Sequence, residues 1–300
     1  MEFGLLGPLL VHDGEQPRAI GSAKQRVLLA ALLLQAGQTV STDSLTERLW
    51  NGRPPASADV VLRNHVLRLR RCIGAAGRRI ITRNGGYLLD VAEEEFDLRR
   101  FDRLCVLAEN AASAGATEEA AELLDDALTL WRGSALADIP SDGLHRDARP
   151  ALEERRLDAL ELKLELQCAL GRFRTAIPAL FRLVEAHPLR EGLWAHLMNA
   201  LFRSGRQAEA LDAYRRIERL LREELGIQPG PVLRALQRQI LLGAATSSPD
   251  RGFILPDSQV DPSPHSSARR RESCPQGVRR LPPSYSRTWR RHFPPPPPSA

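Results

Sequence analysis

A repeat constrains this 300-residue chain more than any other feature. Aligning Gly171 with Gly205, 34 residues apart, lays GRFRTAIPAL over GRQAEALDAY and Ala176 over Ala210. The first unit ends at Pro188, and the second opens with a W-x-x-L pair, Trp194 and Leu197. GATEEAAELLDDAL at 115–128 fits the same frame, with Ala120 and Ala127 at the small positions. One such helix pair cannot bury its apolar face alone, so copies must stack, and small residues let the paired helices approach closely. From Asp97 to Leu242 the pattern is helical throughout.

The 34-residue period is the tetratricopeptide signature, but the first third of the chain is built differently. EFGLLGPLLVHDGEQPRAIG reads as short strands broken by Gly7-Pro8, Asp13-Gly14 and Pro17. At Ser22 the period changes. Ser22-Ala-Lys-Gln25 has the form of a capping box and precedes an Ala/Leu-rich helix that stops at Gly37. Ser41 caps a second helix, with Asp43 in the first turn where the helix dipole favours an acid. NGRPP at 51–55 forces a turn, and a third helix runs from near Ser57 to Gly74. RRIITRN, a Gly85-Gly86 pair and YLLDV then make a hairpin. Strands, three helices and a hairpin in that order are a winged helix-turn-helix. The fold class is therefore mainly α with small β elements. The domains expected are a winged helix at 1–95, a tetratricopeptide-like helical domain at 97–242, and a tail at 243–300. The last 55 residues hold twelve prolines, nine arginines and few aliphatics, so the tail is expected to be disordered.

Charge locates a binding surface. The chain is only net +5, yet residues 53–83 carry eight arginines against a single acid, Asp59. In contrast, residues 96–245 are net −2. On the third helix, Leu62, Val66, Leu69 and Ile73 form one apolar stripe, with His65 and Cys72 at its border. The opposite face carries Ser57, Val60, Asn64, Leu67, Arg68 and Arg71, flanked by Arg63 and Arg70. Such a face suits a DNA major groove, because Arg offers a bidentate fork to guanine and Asn one to adenine. A basic helix face alone is most often merely solvated. Its position after a helix-turn and before a hairpin bearing Arg83 and Asn84 favours DNA.

LRNHVLRLRR followed by ITRNGGYLL resembles the OmpR-type winged helix. ALTLWRGSALADI, HPLREGLWAHLMNALFRSGRQAEALDAY and LREELGIQPGPVLRALQRQIL resemble the bacterial transcriptional activation domain. The combination resembles the SARP family (Streptomyces antibiotic regulatory proteins) over roughly residues 1–242. The resemblance implies a sequence-specific transcriptional activator of antibiotic-pathway genes that binds direct repeats near a promoter's −35 region. Its implied partners are double-stranded DNA, the sigma and alpha subunits of RNA polymerase, and a second copy of itself on DNA. The implied major-groove residues are Arg63, Asn64, Leu67, Arg68 and Arg71, although many relatives carry a polar residue where Leu67 stands. Arg83 and Asn84 are the implied wing contacts, and Lys24 and Arg70 the implied backbone contacts. The implied polymerase-contact loop is Asn51, Gly52, Arg53, Pro54 and Pro55.

Other classes find little support. No HExxH, GxSxG, GxGxxG or GxxxxGK[ST] occurs, so neither an enzyme nor a nucleotide cofactor is expected. Asp125-Asp126 and Glu223-Glu224 are adjacent on helices and diverge by about 100°, which fits solvated faces. Cys72, Cys105, Cys168 and Cys274 are isolated, so reduced thiols and no metal site are expected. The longest apolar run, VLLAALLL at 27–34, is too short to span a bilayer, and no secretory signal pattern is visible. A cytoplasmic, nucleoid-associated protein with no membrane partner is expected. The competing reading is a tetratricopeptide-like adaptor whose basic N-terminal domain touches nucleic acid. It explains residues 97–242 equally well, but not the joint occurrence of an Arg/Asn face, a turn and an Arg-tipped wing.

Overall fold

The computed structural model describes residues 1–14 and 16–243, which pack as two compact units, one spanning Met1–Leu170 and one beginning at Gly171. The first unit opens with an antiparallel sheet of β1 (Glu2–Gly4), β2 (Leu10–Asp13) and β3 (Gln16–Pro17). It continues through α1 (Ala23–Leu34), β4 (Thr39–Ser41), α2 (Thr42–Trp50) and α3 (Ala58–Cys72). The hairpin follows as β5 (Ile80–Arg83) and β6 (Gly86–Leu89). The strand β4, absent from the sequence reading, pairs with β6 and completes a three-stranded wing sheet in the order β4-β6-β5. Gly86 is required at that junction, because a Cβ there would lie 2.1 Å from the Val40 carbonyl oxygen.

Local signals act as expected at α2 but not at α1. The Ser41 hydroxyl accepts the Ser44 N–H at 3.1 Å, and Asp43 occupies the first turn. At α1, Ser22 holds the N-cap position but its side chain makes no cap bond, so the capping box does not form. Gln25 is buried instead, and its amide oxygen accepts the Cys72 thiol at 3.5 Å. The residues from Val27 to Leu33 are all buried, so α1 runs through the core rather than along its surface.

Four further helices belong to the first unit: α4 (Asp97–Ser113), α5 (Thr117–Thr129), α6 (Asp142–Asp147) and α7 (Arg149–Ala169). The helical pattern is not continuous, however. Between α5 and α6 the chain leaves helix and returns to the N-terminal segment. The Arg132 N–H donates to Leu6 O at 2.7 Å, the Leu136 N–H donates to Leu5 O at 3.1 Å, and Asp138 accepts the Leu9 N–H at 2.7 Å. Long-range pairing therefore overrides the local helical tendency there. A single apolar core runs from Phe3 to Leu166, with Trp131 edge-on to Phe101 at 5.5 Å between ring centres. The packing division falls at residue 170, whereas the sequence pattern changes at 95–97.

The second unit contains α8 (Phe173–Ala186), α9 (Glu191–Arg203), α10 (Gln207–Leu225) and α11 (Pro231–Leu241). The repeat register reappears in three dimensions. Gly171 and Gly205 both turn helix corners with left-handed φ, +74° and +81°. Ala176 and Ala210 are fully buried, as are Ala120 and Ala127 in the first unit. Trp194 fills the core, and its indole N–H donates to Pro188 O at 2.9 Å. The Gly230 N–H donates to the Glu191 carboxylate at 2.6 Å and ties the start of α11 to α9. Beyond Gly243, the expected tail lies outside the described residues. Among those residues, no helix is long and apolar enough to cross a membrane.

Candidate nucleic-acid interface

The two faces of α3 separate as its sequence pattern requires. Leu62, Val66 and Leu69 are buried, and Ile73 follows them into the core one turn later. Ser57, Asn64, Arg63, Arg68 and Arg71 are exposed, and so are Val60 at 55% and Leu67 at 46%. Exposed aliphatics among arginines form a surface mixed enough to meet both base edges and thymine methyls. Asp59 sits in the first turn of α3, where the dipole favours it. Arg63 Nε donates to the Asp59 carbonyl at 3.3 Å, one turn back along the helix.

The remaining basic residues divide by what they already touch. Arg70 donates Nε and Nη2 to Ile80 O at 3.1 and 2.6 Å, and Nη2 to Thr82 Oγ1 at 2.9 Å. Its head is therefore bound to β5. Lys24 donates Nζ to the Leu49 carbonyl at the end of α2 and lies 5.4 Å from the centre of the Trp50 ring. That placement caps a helix C-terminus, where a cation is favourable. Arg79 pairs with Glu95, whose carboxyl is held below the ordinary glutamate value first by that hydrogen bond. Arg71 and Arg78 line an open groove of about 630 Å³ together with Arg70, Gly74, Gly77 and Ile80. Arg78 is exposed, and among the described residues no acid lies within ion-pair distance of it. Sequence reading missed Arg78, since it lies outside the helix and only the turn at 74–79 brings it beside Arg71.

At the wing, Arg83 and Asn84 are exposed and the turn closes at Gly85, φ +74°. The Thr42 N–H donates to Gly85 O at 2.9 Å, which ties the wing turn to the start of α2. His65 lies on the flank of α3, its ring edge-on to Trp50 at 6.4 Å. Burial lowers its pKa first, with Arg68 and Lys24 adding to the shift, which favours the neutral imidazole.

The loop between α2 and α3, Asn51 to Ala56, is exposed along its whole length. Asn51 adopts a left-handed conformation, φ +49°, and Nδ2 donates to Asp142 Oδ2 at 3.2 Å. Next to it, the Ser141 hydroxyl donates to Arg48 O at 3.0 Å while accepting the Leu144 N–H at 3.4 Å. One side chain thus caps the start of α6 and satisfies a carbonyl at the end of α2. The loop and α6 are joined. Among the described residues, no group of His, Cys, Asp or Glu is arranged to hold a metal.

This chain is similar to proteins of known family. A family described as the bacterial transcriptional activator domain matches residues 96–241, and one described as transcriptional regulatory protein, C terminal, matches residues 16–89. The regulatory protein DnrI of Streptomyces peucetius is 38% identical over 251 residues, which cover 80% of this chain and 92% of DnrI. The regulatory protein AfsR of Streptomyces coelicolor is 42% identical over 265 residues, covering 85% of this chain and 26% of AfsR. This chain thus spans about a quarter of AfsR's length. A solved structure of Mycobacterium tuberculosis EmbR in complex with a low-affinity phosphopeptide superposes with a TM-score of 0.78 at 38% identity. That match covers 80% of this chain and 65% of the EmbR chain. The chain belongs to the SARP family of transcriptional regulators, with an OmpR-type winged helix followed by a bacterial transcriptional activation domain.

Proposed function

We propose that this regulator binds duplex DNA through α3 and the β5–β6 wing and activates transcription. The observation that carries the reading is the division of α3 into a buried Leu62/Val66/Leu69 stripe and an exposed Arg/Asn face beside an Arg-tipped wing. In this reading Arg63, Asn64, Leu67, Arg68 and Arg71 face base edges in the major groove, and Arg83 and Asn84 follow the minor groove. Arg78, in the groove beside Arg71, suits a backbone phosphate, which positions without specifying.

The family's habits suggest the finer features: direct-repeat operators near the −35 region, control of an antibiotic-pathway gene cluster, and self-association on DNA in the cytoplasm. The exposed Asn51–Pro55 loop suits contact with polymerase sigma or alpha subunits, and its attachment to α6 supports that reading. Selection of bound duplexes from a random pool tests the proposal. An enriched motif that recurs in tandem supports it, whereas retention of all duplexes according to length alone contradicts it.

A further inference from the structure

We infer that Arg70 is a positioning residue that sets the wing against the reading helix, rather than a contact to the DNA backbone. The inference rests on the DNA-binding reading above and assigns one residue a job within it.

The topology shows why a strut is needed. In the sheet order β4-β6-β5, β5 is the edge strand, and among the described residues it pairs only with β6. The Asp90 N–H donates to Arg79 O, so the adjacent Ile80–Leu89 pair is a non-hydrogen-bonded one and the Ile80 carbonyl points off the free edge. An edge carbonyl is ordinarily left to water. Here it accepts both Nε and Nη2 of Arg70, and Thr82 Oγ1 accepts Nη2 as well. A planar guanidinium can grip two points along a strand at once, which a lysine ammonium cannot do with the same geometry.

The backbone at Arg70 is pinned too. The turn after α3 folds back so closely that a Cβ at Gly77 would lie 2.1 Å from Arg70 O. Both ends of the strut are therefore fixed. Arg83 follows Thr82 directly, at the tip of the same strand. At about 3.3 Å of rise per residue, a strand held at Ile80 and Thr82 fixes where that tip points. A guanidinium already engaged through Nε and Nη2 in three hydrogen bonds to two neutral acceptors has only its Nη1 N–H groups left for a phosphate.

Three measurements on the full chain separate the two roles. Binding to the selected operator is titrated over a range of salt for wild type, Arg70→Ala, Arg70→Lys, Arg83→Ala and the Arg70→Ala/Arg83→Ala double variant. A strut predicts that Arg70→Ala and Arg70→Lys both weaken binding about fivefold or more, the scale of losing charge-assisted hydrogen bonds. It also predicts an unchanged salt slope, and a double variant little weaker than Arg83→Ala alone. A backbone contact predicts instead that Arg70→Lys binds normally, that Arg70→Ala lowers the slope by about one, and that the losses multiply. That pattern overturns the inference.

Thr82→Val removes one acceptor without changing charge, and a milder loss that does not add to that of Arg70→Ala supports the strut. If Thr82→Val instead binds like wild type, or its loss multiplies with that of Arg70→Ala, the inference fails. The third measurement needs no DNA. Amide exchange at Ile81 to Gly86 should accelerate in Arg70→Ala, and wild-type exchange rates there overturn the inference even if the protein binds DNA as proposed. Faster exchange in a protein that selects no operator would uphold the strut while refuting the DNA reading.

Discussion

Asp97 and Arg132 meet at 2.8 Å between the N-terminal sheet and the first helical repeat. The Asp97 carboxylate also accepts the Leu5 and Leu6 N–H groups at 2.9 and 3.1 Å. Burial pushes its carboxyl above the ordinary aspartate value, while those donors and Arg132 pull it back. Gly4 lies so close that a Cβ there would sit 2.2 Å from Arg132 Nη2. Three segments distant in sequence therefore share one node. Asp97→Ala strands two buried N–H groups and a half-buried guanidinium, at a cost of about 3 kcal/mol. A urea titration of the variant against wild type checks this, and a change below about 1 kcal/mol would show that the node is dispensable.

The Ser141 contact makes a separate prediction. Removing its hydroxyl leaves Arg48 O and Leu144 N–H without this partner, at about 1 kcal/mol. Ser141→Ala is expected to leave operator affinity unchanged, because α3 is untouched. It should reduce transcription in a reconstituted assay, because the Asn51–Pro55 loop loses a support. Equal transcription by the variant and wild type would mean that the α6 attachment does not matter for activation.

These two nodes mark what sequence alone could and could not reveal. The α3 stripe at Leu62, Val66 and Leu69 was legible because helical period alone decides which residues face inward. The helix corners at Gly171 and Gly205 were legible for a similar reason, since a left-handed φ favours one residue type. The return of residues 130–141 to Leu5 and Leu6 was not legible. It depends on pairing across more than a hundred residues, and no local pattern records that. The same holds for Gln25, which reads as half of a capping box but is turned inward to Cys72. Likewise, Arg70 and Arg68 look alike in sequence, and only the position of β5 separates a bound guanidinium from an exposed one.

Trp194 tests the independence of the second unit. Its ring is buried, its N–H is bonded to Pro188 O, and Arg216 lies 5.7 Å from its ring centre. Trp194→Ala is expected to cost about 3–5 kcal/mol and to loosen that unit. Residues 1–170 form their own compact unit and should stay folded. The variant should keep weak binding to a single DNA site but lose tight binding to paired sites, together with promoter activation. Gel-shift titrations on one-site and two-site duplexes, with protease mapping of the folded part, provide the check. Normal activation by a variant whose second unit is demonstrably open would rule out this division of labour.

His196 on α9 gives the same unit a pH dependence. Burial holds its imidazole at about 4, below the ordinary histidine value of 6.5. Between those values the unfolded chain binds a proton that the folded unit does not, so stability rises with pH across the window and is lost as pH falls through it. His196→Gln cannot protonate and should flatten that part of the stability profile. Thermal melts of both proteins from pH 4 to 7 make the comparison, and identical pH slopes would exclude His196 as the source.

The central claim, that the exposed face of α3 reads DNA bases, rests most directly on Arg68. Its side chain is on the side of the helix opposite the buried Val66 and Leu69. Quantitative binding of Arg68→Ala to the selected operator, and to all single-base variants of that operator, is the decisive measurement. The account predicts a loss of roughly 1–3 kcal/mol in specific affinity and relaxed preference at one base pair, with non-specific binding nearly unchanged. Unchanged affinity with an unchanged base preference at every position would contradict it.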